Sequence, residues 1–229
     1  MPESPVIFTS RGKQLVGIEH RPCTSDQADS LTKGVVIVVG GPQTRVGSHR
    51  LFVQLSRALA DQGIYVFRFD YTGAGDSEGE ITEFTDIQAD IDTAITTFRD
   101  NQPQLTQISL WGLCDAASAI LILLSEGRYQ SHQSHQCIKQ LILVNPWVRQ
   151  PATQAKTYLK SYYLKRLVSK SFWLKLLTGR VNASIALSDI SQFQKKSNRL
   201  SSKDSFVDEM LKGLQEFSGY TRILLSEED

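Results

Sequence analysis

The chain has 229 residues, with 25 Lys and Arg against 24 Asp and Glu; so balanced a charge gives no footing for nucleic acid or an anionic membrane surface. Hydrophobic residues make up 41 % and charged residues 21 %, which excludes wholesale disorder and allows one sizeable core with a small inserted subdomain. No apolar run approaches ~18 residues and the first dozen lack a signal-peptide pattern, so no transmembrane segment and a cytoplasmic location are expected.

Residues 5–20 hold short alternating runs and predict one or two N-terminal strands. Val35-Val36-Ile37-Val38-Val39 is a run of β-branched residues and reads as a strand buried on both faces. It stops at Gly40-Gly41-Pro42. Over 49–62 the apolar positions Leu51, Phe52, Leu55, Ala58 and Leu59 have helical spacing, and Gly63 closes that helix. Residues 64–69 form the next buried strand, which runs into Asp70-Tyr71-Thr72-Gly73-Ala74-Gly75-Asp76-Ser77.

A helix follows over 84–99, with Phe84, Ile87, Ile91, Ile95 and Phe98 on one stripe. Residues 108–111 are a third core strand, which turns sharply at Gly112-Leu113-Cys114-Asp115-Ala116 into an apolar helix over 117–124. A fourth strand covers 137–144 and ends at Asn145-Pro146. Residues 147–215 are basic and aromatic without a strand pattern, and 222–225 begin another strand. Strands alternating with helices imply a mostly parallel sheet with helices on both faces. The expected organisation is a core over 1–146, a helical cap insertion over 147–215, and the start of the last core segment over 216–229.

The cysteines are Cys23, Cys114 and Cys137. No CxxC pair is present, so neither a zinc site nor a redox motif is expected, and no metal or cofactor is called for. The strongest chemical signal is the turn around Cys114. A buried strand leads in and a helix of small residues leads out, the setting of a nucleophile elbow. Gly112 and Ala116 let the strand and helix backbones approach closely. The helix N-terminus behind the thiol favours its thiolate form. The plainer reading is a small buried residue in a βα turn.

Acyl transfer develops an oxyanion, which requires fixed donors. One would be the N–H of Asp115. The other would come from the loop after the first buried strand. Pro42 has no N–H, which leaves Gly41 or Gln43, with Gln43 preferred. The glycine-rich turn 70–77 reads as structural; it lacks the third glycine of a dinucleotide loop, and no catalysis is assigned to Asp70 or Asp76. His49 lies nearest the presumed oxyanion loop, as a structural residue or a substrate contact. Lys156, Lys160, Lys165, Arg166, Lys170 and Lys175 give the insertion a basic face, either a solvated cap surface or a lid over an anionic or lipid-like acyl substrate.

Three segments together resemble the α/β-hydrolase superfamily. They are Gly40-Gly41-Pro42-Gln43-Thr44-Arg45-Val46-Gly47-Ser48-His49-Arg50, Phe69-Asp70-Tyr71-Thr72-Gly73-Ala74-Gly75-Asp76-Ser77-Glu78-Gly79, and Gly112-Leu113-Cys114-Asp115-Ala116-Ala117. Within that superfamily they are similar to the hydrolases associated with the exosortase A system of Gram-negative bacteria. The resemblance implies an α/β-hydrolase fold and a Cys–Asp–His triad in chain order. It also implies a link to exopolysaccharide production and protein sorting. Asp229, with Glu227 and Glu228 beside it, fits the acid, since it follows Ile223-Leu224-Leu225. The histidine should come after the acid, so a further strand and helix are expected to be missing and the chain reads as truncated. The expected activity is hydrolysis or transfer of an acyl group from a small-molecule ester or thioester. The alternative is a non-catalytic binding or scaffold protein on a degenerate hydrolase fold.

Overall fold

The computed structural model describes residues 2–22, 32–125, 135–148 and 206–226. Cys23, the basic run from Lys156 to Lys175, and Glu227 to Asp229 lie outside them. The chain divides into two compact units, Met1–Trp147 with Phe206–Asp229, and Val148–Ser205.

Among the described residues the first unit holds strands β1 (Glu3–Ser10), β2 (Lys13–His20), β3 (Lys33–Val38), β4 (Tyr65–Phe69), β5 (Gln107–Leu113), β6 (Ile138–Val144) and β7 (Tyr220–Leu224). Its helices are α1 (Leu51–Asp61), α2 (Gln88–Asn101), α3 (Asp115–Ser125) and α4 (Phe206–Glu216). The strands form one sheet in the order β1-β2-β4-β3-β5-β6-β7. β1 and β2 pair antiparallel and β2 is antiparallel to β4, whereas β4, β3, β5, β6 and β7 run parallel. The mostly parallel sheet expected from the alternating pattern is present, in the α/β-hydrolase fold that the resemblance implied.

The N-terminal run resolves into two strands because Arg11 and Gly12, at φ 48° and 73°, make the two-residue turn whose twist suits a hairpin. After the exposed Lys33, β3 carries no polar side chain because both its faces are covered. Val36 and Val38 face the larger core with α2 and α3, while Val35, Ile37 and Val39 meet Phe52 of α1. α1 closes at Gly63 (φ 84°), where the N–H groups of Gly63 and Ile64 bond back to Ala60 and Leu59 at 3.1 Å each. In the larger core Phe67 stacks on Phe98 and on Phe69, with ring centroids 5.6 and 6.1 Å apart.

Every residue of α3 from Ala116 to Ser125 is buried, because the sheet covers one side and α4 the other. α4 belongs to the same unit as the sheet. The inserted segment therefore ends at 205, where the composition of 147–215 had suggested 215. Phe206, Met210, Gly213, Leu214 and Phe217 carry the apolar stripe that docks α4, and a Cβ on Gly213 would lie 1.9 Å from the Leu121 carbonyl oxygen.

Gly213→Ala gains about 1 kcal/mol of helix propensity and meets that carbonyl. Overpacking costs about 1–3 kcal/mol, so a urea titration should show net destabilisation. His20 is fully buried, its Nε2 accepting from Arg68 Nε at 2.9 Å. Burial, and then the Arg68 charge, lower its pKa from 6.5 to about 4. The fold thus favours the neutral ring, so its stabilisation is whole above pH 6.5 and is lost as pH falls towards 4. The urea midpoint should drop across that window, and His20→Gln should flatten the drop.

Candidate active site

β3 has β4 on one side and β5 on the other. The chain leaving β3 enters α1 on one face of the sheet, and the chain leaving β5 enters α3 on the other. The two departing loops open a crevice at the C-terminal ends of the strands, where open α/β sheets place their ligands. Residues 40–43 form one wall and the turn at Cys114 the other.

β5 ends at Leu113 and α3 begins at Asp115, which leaves Cys114 to make the whole turn. Its φ is +58°, a left-handed conformation that costs a residue with a Cβ about 1–2 kcal/mol. Its backbone is held from several directions. Cys114 N–H donates to Val144 O at 2.8 Å, and its carbonyl accepts from Ala117, Ser118 and Trp147 N–H at 3.1, 3.3 and 3.3 Å. The Ser118 hydroxyl donates to Trp147 O at 2.8 Å, tying the chain after β6 to the same turn. Gly112 is needed here: a Cβ on it would stand 2.7 Å from Ile120 Cδ1 and 2.8 Å from Ala117 N. Cys114 itself is half-buried and not in a disulfide.

A cavity of about 150 Å³ lies beside it, lined by Gly41, Pro42, Gln43, Phe52, Cys114 and Asp115. The structure thus brings the cysteine and the glycine loop together. In that loop Gln43 N–H closes a turn on Gly40 O at 3.3 Å, while Gly41 is at φ +58° and a Cβ on it would lie 3.3 Å from Asp115 Oδ2. The Gln43 Oε1 is buried without a hydrogen-bond partner among the described residues.

The Asp115 side chain is a feature the sequence did not disclose. Its Oδ1 accepts Ala116 N–H at 3.0 Å. Burial raises its pKa against the amides of Ala116, Gly41 and Asp115 itself, which lower it. A Cβ on Gly40 would be 2.1 Å from that Oδ1, so glycine at 40 makes room for the carboxylate.

The loop's far end is clamped by the turn 70–77. Arg45 N–H donates to Asp70 Oδ1 at 2.5 Å, its guanidinium bridges Asp70 and Asp76, and Arg68 donates to the Arg45 carbonyl at 3.0 Å. The Tyr71 hydroxyl donates to Gly41 O at 3.0 Å. Gly75 is required because a Cβ there would meet Asp70 Oδ2 at 2.1 Å. Asp70 and Asp76 hold a loop, in keeping with the structural reading of their turn. Arg45 and Tyr71 were inside the recognised segments without a role. Their partners are 25 and 30 residues away in sequence, and no local pattern announces them.

His49 is exposed at φ 50° and does not line the cavity. His20 pairs with Val66 at the opposite end of β4. Among the described residues no histidine lines the cavity, and no group of His, Cys, Asp and Glu could hold a metal ion. Among them also no helix is long and apolar enough to cross a membrane. Asp229 lies outside the described residues, but the strand before it is placed. β7 runs parallel to β6, and Ser226 N–H donates to Asn145 Oδ1 at 2.7 Å with Asn145 Nδ2 returning to Ser226 Oγ at 2.8 Å.

Compared with known proteins, residues 31–212 match the family described as serine aminopeptidase, S33. Among solved structures, a hydrolase from Agrobacterium vitis S4 described as putative superposes with a TM-score of 0.54 at 14 % identity, over 77 % of this chain and 62 % of that one. Est1E from Butyrivibrio proteoclasticus, with ferulic acid bound, gives 0.51 at 18 % identity, over 66 % and 56 %. The Pyrococcus furiosus esterase Pf2001 gives 0.56 at 15 % identity, over 98 % and 82 %. These likenesses are of fold. The chain spans 62 % of the length of the Agrobacterium vitis protein. No curated protein matches the sequence.

The side chain of Asp70 is wholly buried, and Arg45 is the cation against it. Arg45→Ala strands that carboxylate, and losing one partner of a buried pair costs about 3–5 kcal/mol. The urea midpoint should fall accordingly, with a smaller loss for Arg45→Lys.

Proposed function

The chain belongs to the serine aminopeptidase S33 family of α/β-hydrolases, and from that premise we propose that it is an acyl hydrolase or acyltransferase that uses Cys114 where such folds carry serine. The observation that carries the reading is the half-buried thiol on a left-handed turn, facing the 40–43 loop across a small cavity. A residue held at a strained angle by four backbone hydrogen bonds is held there for a purpose.

In the proposed reaction the Cys114 sulfur attacks the carbonyl carbon of an ester or thioester and forms a C–S bond. The oxyanion takes hydrogen bonds from Asp115 N–H and from the 40–43 loop. Since Gln43 N–H closes a turn, Gly41 is the better loop donor. The tetrahedral species collapses with cleavage of the C–O or C–S bond to the leaving group, and the alcohol or thiol leaves with the proton that Cys114 gave up to solvent on ionising. Water or another acceptor then takes the acyl group from sulfur. The eleven-residue α3 begins one residue after the nucleophile, and its N-terminal partial charge favours the thiolate. Asp229 would be the acid of a Cys–Asp–His triad, since it follows β7 in the chain order of that triad. Residues 148–205 would form the cap, and His49 would contact substrate only if it turns inward from its exposed position.

The likeness of the 40–50 and 112–117 segments to exosortase A-associated hydrolases supports a cytoplasmic role connected with exopolysaccharide production. A small acyl ester or thioester is the expected partner; the charge balance supports no nucleic acid. One observation favours the second reading, a non-catalytic binding protein: the Asp115 carboxylate lies against Gly40 and Gly41 in the loop that would hold the oxyanion.

Incubation with p-nitrophenyl acetate and intact-protein mass spectrometry should show one acetyl group on Cys114. Cys114→Ala should carry none, and its ester turnover should fall by ~10³-fold or more. Turnover unaffected by Cys114→Ala would refute the nucleophile assignment.

A further inference from the structure

The crevice beside Cys114 has a definite size, and its lining has a definite chemistry. Cys114, Asp115 and the 40–43 loop all border one cavity of about 150 Å³. A carbonyl attacked by Cys114 must come within bonding reach of the sulfur with its oxygen towards the amides of Asp115 and the loop, so it lies in that cavity. The leaving group has only to depart. The acyl group stays bonded to sulfur, and it is the acyl group that the cavity must hold. An apolar cavity of about 150 Å³ takes one molecule the size of benzene, roughly six heavy atoms. The carbonyl oxygen fills one of those places, so an acyl group of more than about five carbons overfills the space.

Phe52, Pro42 and Leu113 give the cavity its apolar lining, which suits a hydrocarbon chain. The Phe52 wall cannot retreat. Its ring meets Trp111 edge-on with centroids 5.5 Å apart, and Gly47 lies so close behind it that a Cβ there would stand 2.7 Å from Phe52 Cδ2. Among the described residues the lining holds one carboxyl, Asp115, and no Lys, Arg or His. A carboxylate on the acyl group would therefore meet a like charge and no counter-ion, which rejects it. We infer that this cavity is an acyl pocket for short, uncharged acyl groups of about two to five carbons, and that Phe52 is the residue that limits their length. The inference rests on the acyl-transfer reading and adds to it the class of substrate.

The test offers the full chain p-nitrophenyl acetate, butyrate and octanoate, and mono-p-nitrophenyl succinate. Acylation of Cys114 is timed by intact mass under single-turnover conditions. Each rate is divided by that ester's rate with glutathione, which removes differences in intrinsic reactivity. Acetate and butyrate should lead, with octanoate and succinate each slower than butyrate by about 10-fold or more, the scale on which an apolar pocket rejects a misfit. Phe52→Ala should raise octanoate relative to butyrate by about 10-fold. Phe52→Leu should raise it less, and it carries the test should the alanine variant fail to fold. Octanoate or succinate as fast as butyrate, or a chain-length order unchanged in the folded Phe52 variants, overturns the acyl pocket while the acyl-enzyme reading stands. No acyl group on Cys114 from any of these esters overturns the acyl-enzyme reading, and the acyl pocket with it.

Discussion

A single residue, Cys114, separates the last residue of β5 from the first of α3. A direct hand-over from strand to helix reverses the chain inside the van der Waals radius of most side chains. It is possible here because Gly112 has no Cβ to meet Ile120 and Ala117, and because Cys114 accepts φ +58°. The strain of ~1–2 kcal/mol is small against the burial of α3, whose Ile and Leu side chains are each worth about 1.5–3 kcal/mol on removal from water. The packing of α3 between the sheet and α4 therefore dictates the turn, and the turn dictates where the thiol points.

The opposite wall of the crevice is held by polar contacts of another kind. The loop after β3 contains three glycines and a proline and has little packing of its own. Its position comes from Arg45 on Asp70, Arg68 on the Arg45 carbonyl and Tyr71 on the Gly41 carbonyl. Arg68, Asp70 and Tyr71 all belong to β4 or the turn directly after it, so β4 sets the loop and β5 sets the nucleophile. Since β3 lies between them in the sheet, the separation of the two walls follows from strand spacing, which is rigid. A site built this way can be preorganised without burying its nucleophile.

The Asp115 carboxylate brings these two walls into contact. It accepts Ala116 N–H in the first turn of α3 and lies against Gly40 and Gly41 of the facing loop.

Much of this was legible in the residues. The β-branched run at 35–39, the helical stripes of 49–62 and 84–99, and the small-residue helix after Cys114 are local patterns. Local periodicity determines which segments form strands or helices and which faces are apolar. The place of Cys114 in a strand–turn–helix was likewise readable, because Gly112 and Ala116 sit within two residues of it. What sequence could not settle was anything fixed by partners distant along the chain. α4 was grouped with the basic insertion because its stripe, Phe206 to Phe217, gains meaning only against Leu121 of α3. The seat of the Asp115 carboxylate against Gly40 and Gly41 depends on two loops meeting in space. The roles of Arg45, Tyr71 and the Asp115 side chain are of the same sort. Composition and spacing decide what a segment can become; the direction of each amide and carboxylate is decided only when strands 25 to 75 residues apart are brought side by side, since hydrogen bonds and charges act over a few ångströms and not along the chain.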